Sequence, residues 1–398
     1  MGLQGTASIS GIADWRPERH FTGRRQLHIQ QWAELAAGAL ADAGLKSSDV
    51  NGLVCTGVRE SDMFAPATVA EYLGWEVDFA EHVDLGGATP VGMVWRAAAA
   101  IELGICDVVV CAAPSRPRPV PPIPQPQSWS NIGASSGSWG SPQAEFEIPY
   151  GNVAQNCGYA MIAQRYAAEY GYDERALAKI AADQRANACA NPDALFFGQP
   201  ISIDDVLSSR VIADPLHLLE IVMPCTGGAA IVVTSQEKAA RSRHRPVFVT
   251  GCGERLAYKT PTYAKDLLRT PVGPAADAAF AMAGVSRADV DVAELYDCYT
   301  ITVLLSIEDS GFCGKGEGLE FVRAHDLTFG GDFPVNTHGG QLSYGQPGMA
   351  GGFTQVLEAV RQVRGTVGAR QVRDCNIAYV SGTGGIMSEQ NAMIVRGG

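Results

Sequence analysis

The chain has 398 residues, a length that suits about two average domains or two fused copies of one fold. Its net charge of -12 and its lack of a basic run argue against nucleic acid or an anionic membrane surface as the main partner. Hydrophobic residues make up 46% of the chain and charged residues only 18%, which excludes disorder for most of it.

The ten cysteines are scattered singly, with no CxxC pair and no Cys/His cluster at zinc-binding spacing. We interpret them as reduced, mostly buried thiols, and we expect no metal site. The N-terminus lacks a basic region followed by an apolar run, and no apolar stretch approaches the roughly 18 residues of a membrane span. These patterns predict a cytoplasmic protein.

The predicted elements alternate between helices and short apolar strands. The tail of an alanine-rich helix, a glycine and the strand GLVCTG occupy 39–57, and a second helix and strand follow in 92–113. Residues 114–149 are irregular and rich in proline, which excludes regular helix or a central strand there. A loop of this length is either functional or a plain surface excursion. Two further helices are predicted in 150–171 and 174–192.

The sequence contains an internal repeat. ALADAGLKSSDV, which begins at Ala39, and AFAMAGVSRADV, which begins at Ala279, share six of twelve positions. In the same order, the helix and strand of 92–113 resemble a helix in 352–365 and a strand in 375–382. Because each matched unit joins a helix to a short apolar strand, the repeat predicts an α/β layer structure that is built twice.

Five stretches resemble the thiolase superfamily, especially the branch of the sterol-carrier-protein thiolases and the lipid-transfer-protein-like steroid side-chain aldolases. They are IPYGNVAQNCGYAMIAQRY, ADQRANACANPDA, ISIDDVLSSRVIADPLHLLE, ELYDCYTITVLLSIEDSGFCGKGEG and NTHGGQLSYGQPGMAGG. The resemblance covers nearly the whole chain and implies an α/β thiolase fold, a duplicated five-layer αβαβα structure with mostly parallel sheets. We place the N-terminal half in 1–113 and 150–245, a Pro/Gly-rich loop insertion in 114–149, and the C-terminal half in 246–398.

The catalytic side chains of ordinary thiolases are all replaced when the motifs are aligned by their glycines. The nucleophilic cysteine falls on Gly87, the histidine of the family's GHP triplet on Gln346, and the cysteine of the last glycine-rich loop on Ser381. The asparagine loop reads YDCY here, with Tyr296 at its first position. Gly87 has no side chain that could attack a thioester, and Thr89 is a weak substitute because no base lies beside it in the sequence. The resemblance therefore argues against ordinary Claisen chemistry.

The glycine-rich loops are retained, and they indicate a site for a negatively charged thioester oxygen. We expect the backbone at Gly87 and Gly384 to form an oxyanion hole, with turn glycines that only allow close packing as the alternative. Steroid side-chain aldolases resemble this chain in having a tyrosine before the aspartate, so we expect Tyr296 to act as a general acid/base rather than as an ordinary half-buried tyrosine. Thr226 and Ser381 replace family residues near the substrate and are expected to contact it.

The second tyrosine of those aldolases falls on Gln346, and the nearest phenol is Tyr344, two residues earlier. Tyr344 and Gln346 are therefore both candidate catalytic residues: either this loop is rearranged or the role passes to another group. His338, in the same loop, is expected to serve as a base or to tune the catalytic tyrosine, unless its ring only fixes the backbone. We interpret Asp297 as a structural hydrogen-bond acceptor and Cys298 as a core residue.

The leading functional hypothesis is a thiolase-like carbon–carbon lyase. It would cleave a β-hydroxyacyl-CoA by a retro-aldol reaction to a shortened acyl-CoA and a ketone or aldehyde, because this cleavage needs no nucleophile. The alternatives are a thiolase-type acyltransferase with a displaced nucleophile and a catalytically silent thiolase-like subunit. Steroid, aryl and branched aliphatic acyl chains are all compatible with the sequence. The resemblance implies a homodimer assembled with a small zinc-ribbon/OB-fold protein, with the CoA thioester as substrate and no cofactor.

Overall fold

The structure, a computed structural model, describes residues 2–120, 139–152 and 154–398. Its strands are β1 Ser8–Glu18, β2 Gly52–Cys55, β3 Phe79–His82, β4 Val108–Pro114, β5 Val211–Ala213, β6 Leu216–His217, β7 Thr226–Thr234, β8 Val247–Leu256, β9 Val292–Glu294, β10 Ile377–Gly384 and β11 Glu389–Gly397. Its helices are α1 His28–Ala43, α2 Ala65–Leu73, α3 Thr89–Glu102, α4 Pro142–Phe146, α5 Gln155–Tyr170, α6 Glu174–Cys189, α7 Ile203–Ser208, α8 Gln236–Ala239, α9 Val272–Ala283, α10 Thr300–Asp309, α11 Gly318–Ala324 and α12 Gly351–Arg364.

Nine strands form one sheet with two similar halves, in the order β3-β2-β4-β7-β1-β8-β11-β10-β9. The halves meet where Ser8 of β1 pairs with Phe248 of β8. Parallel pairing, which was predicted for most of the sheet, joins β3, β2 and β4 in the first half and β9 with β10 in the second. The strands nearer the middle, β7, β1, β8 and β11, pair antiparallel with their neighbours, so the sheet is mixed.

The helices and sheet halves form five layers. Helices α1 and α2 pack on the outer face of the first half, α3 and α12 lie between the halves, and α9 and α10 cover the outer face of the second half. Strand β4 shows how the sequence allows this, because alternate residues from Val108 onwards face α1 while the residues between them face α3. A strand that is buried on both faces must be apolar throughout. The predicted duplicated thiolase architecture is therefore confirmed.

The internal repeat corresponds to a repeated contact between a helix and a strand. In the first half, a Cβ on Gly11 of β1 would lie 2.1 Å from the carbonyl oxygen of Ala39 in α1. In the second half, a Cβ on Gly251 of β8 would lie 2.1 Å from the carbonyl oxygen of Ala279 in α9. Ala39 and Ala279 are the first residues of the two matched segments, so both copies use a glycine to seat the helix backbone directly on the strand.

Residues 121–138, most of the proline-rich segment, lie outside the described residues. The exclusion of helix from 114–149 is wrong at its end, where α4 Pro142–Phe146 forms. The Ser141 side chain accepts from the Ala144 N–H, and a proline is tolerated in the first turn of a helix. The boundaries drawn at 113/114, 149/150 and 245/246 stay predictions. In the described ranges, no helix is long and apolar enough to cross a membrane.

We predict that Gly251→Ala lowers the free energy of unfolding by about 1–3 kcal/mol, because the added methyl group would overlap the Ala279 carbonyl oxygen between two backbone segments. Urea unfolding measures this change. Gly330→Ala is the control, since a Cβ there meets nothing within 4 Å, and it should change stability by less than about 0.5 kcal/mol. Equal stability of the two variants would contradict the proposed contact.

Candidate active site

The two central helices begin at the same place, and Gly87 lies there. Gly87 belongs to the turn Gly86–Ala88, which leads directly into α3. A Cβ on Gly352, in the first turn of α12, would lie 2.3 Å from the carbonyl oxygen of Gly87. The N-terminal ends of α3 and α12 therefore converge at this residue. Helix N-termini carry partial positive charge, so the site favours a negatively charged oxygen.

The phenol of Tyr296 fills the space in which a side chain at position 87 would begin. A Cβ on Gly87 would lie 2.2 Å from the Tyr296 Oη and 2.4 Å from the carbonyl oxygen of Thr383. Real Cβ atoms do not approach other atoms this closely, so residue 87 can be only glycine while the phenol stays in place. The structure thus brings together Gly87 and Tyr296, two residues that the sequence analysis placed in the site.

Tyr296 follows strand β9 and is 6% exposed. Its backbone N–H donates to the Oγ of Ser381 on β10, over 3.3 Å. Burial raises the pKa of the Tyr296 phenol well above its usual value, and the nearby Cys298 thiol adds to this increase. The side-chain amides of Gln346 and Gln341 act in the opposite direction but do not cancel it. The phenol is therefore neutral at physiological pH and carries a proton that it can donate.

Gln346 and Gln341 lie together beside this phenol. A Cβ on Gly351, the first residue of α12, would lie 3.1 Å from the Gln341 Oε1 and 3.1 Å from the Gln346 Nε2. The Gln346 Nε2 donates to the carbonyl oxygen of Gly348, over 2.9 Å. Gln341 was not among the sequence candidates, although it follows the glycine pair of the NTHGGQL motif. Its side chain could not be assigned to the site without knowing how that loop folds.

Gly384, the other predicted oxyanion residue, ends strand β10 next to the turn that precedes α3. A Cβ on Gly384 would lie 2.0 Å from the carbonyl oxygen of Leu85, so this glycine permits close backbone packing. Its own carbonyl oxygen accepts a hydrogen bond from the Ser388 N–H, over 3.1 Å. The packing interpretation thus has direct geometric support, and the oxyanion role of Gly87 and Gly384 stays a prediction.

His338 and Tyr344 make their polar contacts with other interior groups. The His338 Nδ1 lies 3.2 Å from the Glu294 Oε2, and the imidazole packs edge-on against the Tyr344 ring at 5.3 Å between centroids. The Tyr344 hydroxyl donates to the Asp14 Oδ2, over 3.2 Å, and Asp14 is paired with Arg361. These contacts hold the loop against β1, β9 and α12, while the predicted catalytic roles of both residues stay untested.

Thr226, Thr89 and Cys298, which the sequence analysis weighed, all have partners in the described part of the chain, and the Cys298 Sγ lies 3.5 Å from the Thr302 Oγ1. The Thr226 hydroxyl donates to the Glu18 carbonyl oxygen over 3.1 Å, at the end of the β1–β7 pair, and its predicted contact with substrate stays a prediction. The Thr89 hydroxyl accepts from the Leu85 N–H over 2.8 Å. Burial raises the pKa of the Cys298 thiol to about 12, so this thiol is not a thiolate at neutral pH.

Asp297 is a fully buried carboxyl group that organises the loop beside Tyr296. Its Oδ1 accepts from the Gln341 N–H over 2.9 Å and from the Gln355 Nε2 over 2.9 Å, and its Oδ2 accepts from the Leu342 N–H over 3.1 Å. Gln341 and Leu342 belong to the single π-helical turn Gly340–Tyr344, and Gln355 belongs to α12. The predicted role of a structural hydrogen-bond acceptor agrees with these contacts.

Comparison with known proteins identifies the family. A protein-family model described as "Thiolase C-terminal domain-like" matches residues 253–397. A steroid side-chain-cleaving aldolase from Thermomonospora curvata is 35% identical over 390 residues, which cover 96% of this chain and 96% of the relative. The chain belongs to the thiolase superfamily, in the steroid side-chain aldolase branch.

Two further members of this branch support the assignment. A 17-hydroxy-3-oxo-4-pregnene-20-carboxyl-CoA lyase from Mycobacterium tuberculosis is 35% identical over 369 residues, covering 92% of this chain and 93% of the relative. A solved structure described as "Ltp2-ChsH2(DUF35) aldolase" superposes with a TM-score of 0.86 at 32% identity, covering 99% of this chain and 98% of that one. The predicted enzyme class, a thiolase-like lyase that acts on acyl-CoA, is confirmed by these relatives.

We predict that Asp297 makes the stability of this thiolase-like aldolase depend on pH. Burial raises the pKa of Asp297 to about 7, against the hydrogen bonds from Gln341 and Leu342 that lower it. Between about pH 4 and pH 7 the native state keeps a proton that the unfolded chain has lost, so the free energy of unfolding falls as pH rises. The contribution is on the order of 1–4 kcal/mol.

Asp297→Asn removes this contribution. Urea unfolding of both proteins between pH 4.5 and pH 8, roughly the range in which this carboxyl titrates, should show that the variant loses less stability with rising pH than the wild type does. Parallel pH profiles would contradict the prediction.

Proposed function

We propose that the protein cleaves the Cα–Cβ bond of a β-hydroxyacyl-CoA by a retro-aldol reaction, releasing a shortened acyl-CoA and a ketone or aldehyde. The observation that carries this proposal is the Tyr296 phenol, which lies where the nucleophile of a thiolase would begin. A thiolase must hold the departing acyl group covalently, whereas the retro-aldol cleavage forms no bond between enzyme and substrate. Loss of the nucleophile at Gly87 therefore removes the covalent acyl-enzyme from this position and leaves the retro-aldol cleavage possible.

The proton balance of this cleavage suits a single phenol. The β-hydroxyl group loses one proton as its carbon–oxygen bond becomes a carbonyl, and the α-carbon gains one proton as the thioester enolate collapses. Because a neutral phenol cannot hold a second proton, the two transfers must occur together. As the Cα–Cβ bond breaks, the phenolic oxygen receives the hydroxyl proton while the phenolic proton moves to the α-carbon, so Tyr296 leaves the reaction unchanged. Because the raised pKa keeps the phenol neutral, the donor form is already present before substrate binds.

The negative charge of the thioester enolate would lie between the helix N-termini that meet at Gly87. Backbone N–H groups there need no reorganisation when the charge appears, since the glycine backbone is packed between Tyr296, Thr383 and Gly352. The oxyanion assignment of Gly87 and Gly384 belongs to this proposal. In the same proposal, Gln346 orients the phenol, and Thr226 and Ser381 line the path of the substrate.

The substrate class and partners follow from the relatives. The names of the similar proteins refer to steroid side chains and to a pregnene carboxyl-CoA, so we infer a CoA thioester with a bulky polycyclic or similar acyl group. The similar structure carries a double name, Ltp2-ChsH2(DUF35), which supports assembly of this chain with a companion protein. We propose that the companion is a small zinc-ribbon/OB-fold protein and that the chain is a homodimer, as the family resemblance implies. We also propose that the protein is cytoplasmic and that the reaction uses no cofactor.

An acyltransferase with a displaced nucleophile fits the site less well. Burial raises the pKa of the Cys298 and Cys225 thiols to about 12. Cys225 lies beside Gln346, because its backbone N–H donates to the Gln346 carbonyl oxygen over 3.0 Å. Thiols of this kind are almost fully protonated at neutral pH and attack thioesters poorly. Neither has a base that would deprotonate it among its described hydrogen-bond partners.

We predict that Tyr296→Phe lowers kcat by about 10²–10⁴-fold while KM changes little, because the ring still fills the site but its proton is gone. The measurement is mass-spectrometric detection of products from a panel of β-hydroxyacyl-CoAs and β-ketoacyl-CoAs, with and without free CoA. The protein is tested alone and with any companion protein encoded nearby. Tyr299→Phe is the matched control, since its hydroxyl donates to Asn156 instead.

Cleavage of hydroxy substrates without free CoA, lost only in Tyr296→Phe, is the expected result. Cleavage of keto substrates that requires free CoA would instead establish an acyltransferase. No turnover of either class, alone or with the companion, would point to a silent thiolase-like subunit.

A further inference from the structure

The side chain of Gln341 is fully buried, yet its amide makes no hydrogen bond of ordinary geometry with the described residues. Gln341 has 0% exposed surface, and neither its Nε2 nor its Oε1 has a hydrogen-bond partner of ordinary geometry among the described residues. The amide is close enough to the Tyr296 phenol to lower the pKa of that phenol. Leaving a buried amide unpaired is costly, so such a group calls for a water, an ion or a ligand that completes its hydrogen bonds. The position of Gln341 beside the Tyr296 phenol favours a ligand.

The backbone of Gln341, in contrast, is held firmly. Its N–H donates to the Asp297 Oδ1 over 2.9 Å, and its carbonyl oxygen accepts from the Met223 N–H over 3.3 Å. The preceding residue, Gly340, has a φ of 59°, and a Cβ there would lie 2.1 Å from the Asp297 Oδ2. The amide is thus fixed in position although its own polar atoms are unpaired. A fixed, unpaired donor and acceptor is the arrangement that binds a ligand with little loss of entropy.

We propose that Gln341 contacts the substrate and binds its β-oxygen. This inference rests on the proposed function, in which the phenol of Tyr296 exchanges a proton with the same oxygen. An oxygen that touches this phenol lies within reach of the neighbouring Gln341 amide, which faces the start of α12 at Gly351.

The amide matches both states of that oxygen. Before cleavage the β-oxygen is a hydroxyl group that donates to Tyr296 and accepts from the Gln341 Nε2. After the Cα–Cβ bond breaks it is a carbonyl oxygen, which only accepts, and the same Nε2–H remains suitable. A bond that strengthens as the carbonyl forms favours cleavage over simple binding. A substrate without a β-oxygen would leave the amide unpaired.

The experiment compares Gln341→Leu with Gln362→Leu, a second buried glutamine. The Gln362 Nε2 donates to the Thr337 Oγ1 over 2.8 Å and to the Arg370 carbonyl oxygen over 2.9 Å. Replacing it should lower the urea midpoint of unfolding, because its partners lose their hydrogen bonds. Replacing Gln341 should leave the midpoint unchanged or raise it, since an unpaired amide becomes an apolar group of similar size.

Turnover provides the second readout. Gln341→Leu is expected to lower kcat/KM for β-hydroxyacyl-CoA about 10–100-fold, because it leaves the β-oxygen without one of its hydrogen-bond partners in a buried site. The inhibition constant of the corresponding acyl-CoA without a β-oxygen should stay within about twofold, because that ligand makes no bond to the amide. A merely structural role would weaken both ligands together.

Three results would overturn the inference. They are wild-type kcat/KM in Gln341→Leu, equal weakening of both ligands, and a fall in the urea midpoint as large as that of Gln362→Leu. If the wild type turns over no β-hydroxyacyl-CoA, the proposed function fails, and calorimetric binding then decides the inference separately. In that case the wild type should bind β-hydroxyacyl-CoA more tightly than its β-deoxy analogue, and Gln341→Leu should abolish the difference.

Discussion

The contact between the Tyr296 phenol and the backbone of Gly87 determines what this site can do. It lies where α3 and α12 begin, at the centre of a five-layer structure, and both residues are constrained from several sides. Ser381 holds the backbone N–H of Tyr296, Thr383 and Gly352 pack on Gly87, and no side chain fits at position 87. A return of the thiolase nucleophile would therefore require the tyrosine to move away.

Replacing the thiolase nucleophile by Gly87 and the Tyr296 phenol changes the groups available for chemistry but keeps the partial positive charge of the two helix N-termini. Two helix N-termini still converge on the place where a thioester oxygen would become negative, and that feature serves both Claisen and retro-aldol reactions. What differs is the group beside the reacting carbons. A buried, neutral phenol lies where a thiolase has its nucleophile, and in the proposed reaction a relayed proton would take the place of an acyl-enzyme.

The duplicated fold could be predicted from the sequence because its signals are local. The repeat that begins at Ala39 and Ala279 marks the two helices that pack on Gly11 and Gly251, and alternating apolar strands mark the two halves of the sheet. The antiparallel pairing of the central strands was not predicted. Pairing direction depends on how distant segments meet, which no local pattern records.

The site could be predicted only in part. Gly87, Tyr296 and Gln346 were found because flanking glycines fix their alignment, and the structure brings them together. Gln341 was missed, because a side chain in a π-helical turn projects in a direction that the sequence does not reveal. For the same reason the sequence did not show that the Tyr344 hydroxyl is bonded to Asp14.

The most direct test of the account is the intact mass of the protein during turnover. The enzyme would be mixed with an excess of β-hydroxyacyl-CoA, quenched in acid at several times, and examined by mass spectrometry while the released acyl-CoA is quantified. A lyase that relays a proton through Tyr296 keeps its unmodified mass throughout and releases acyl-CoA from the first turnover. An acyl group attached to the protein, on a cysteine or on any other residue, and appearing at the rate of turnover would contradict the account.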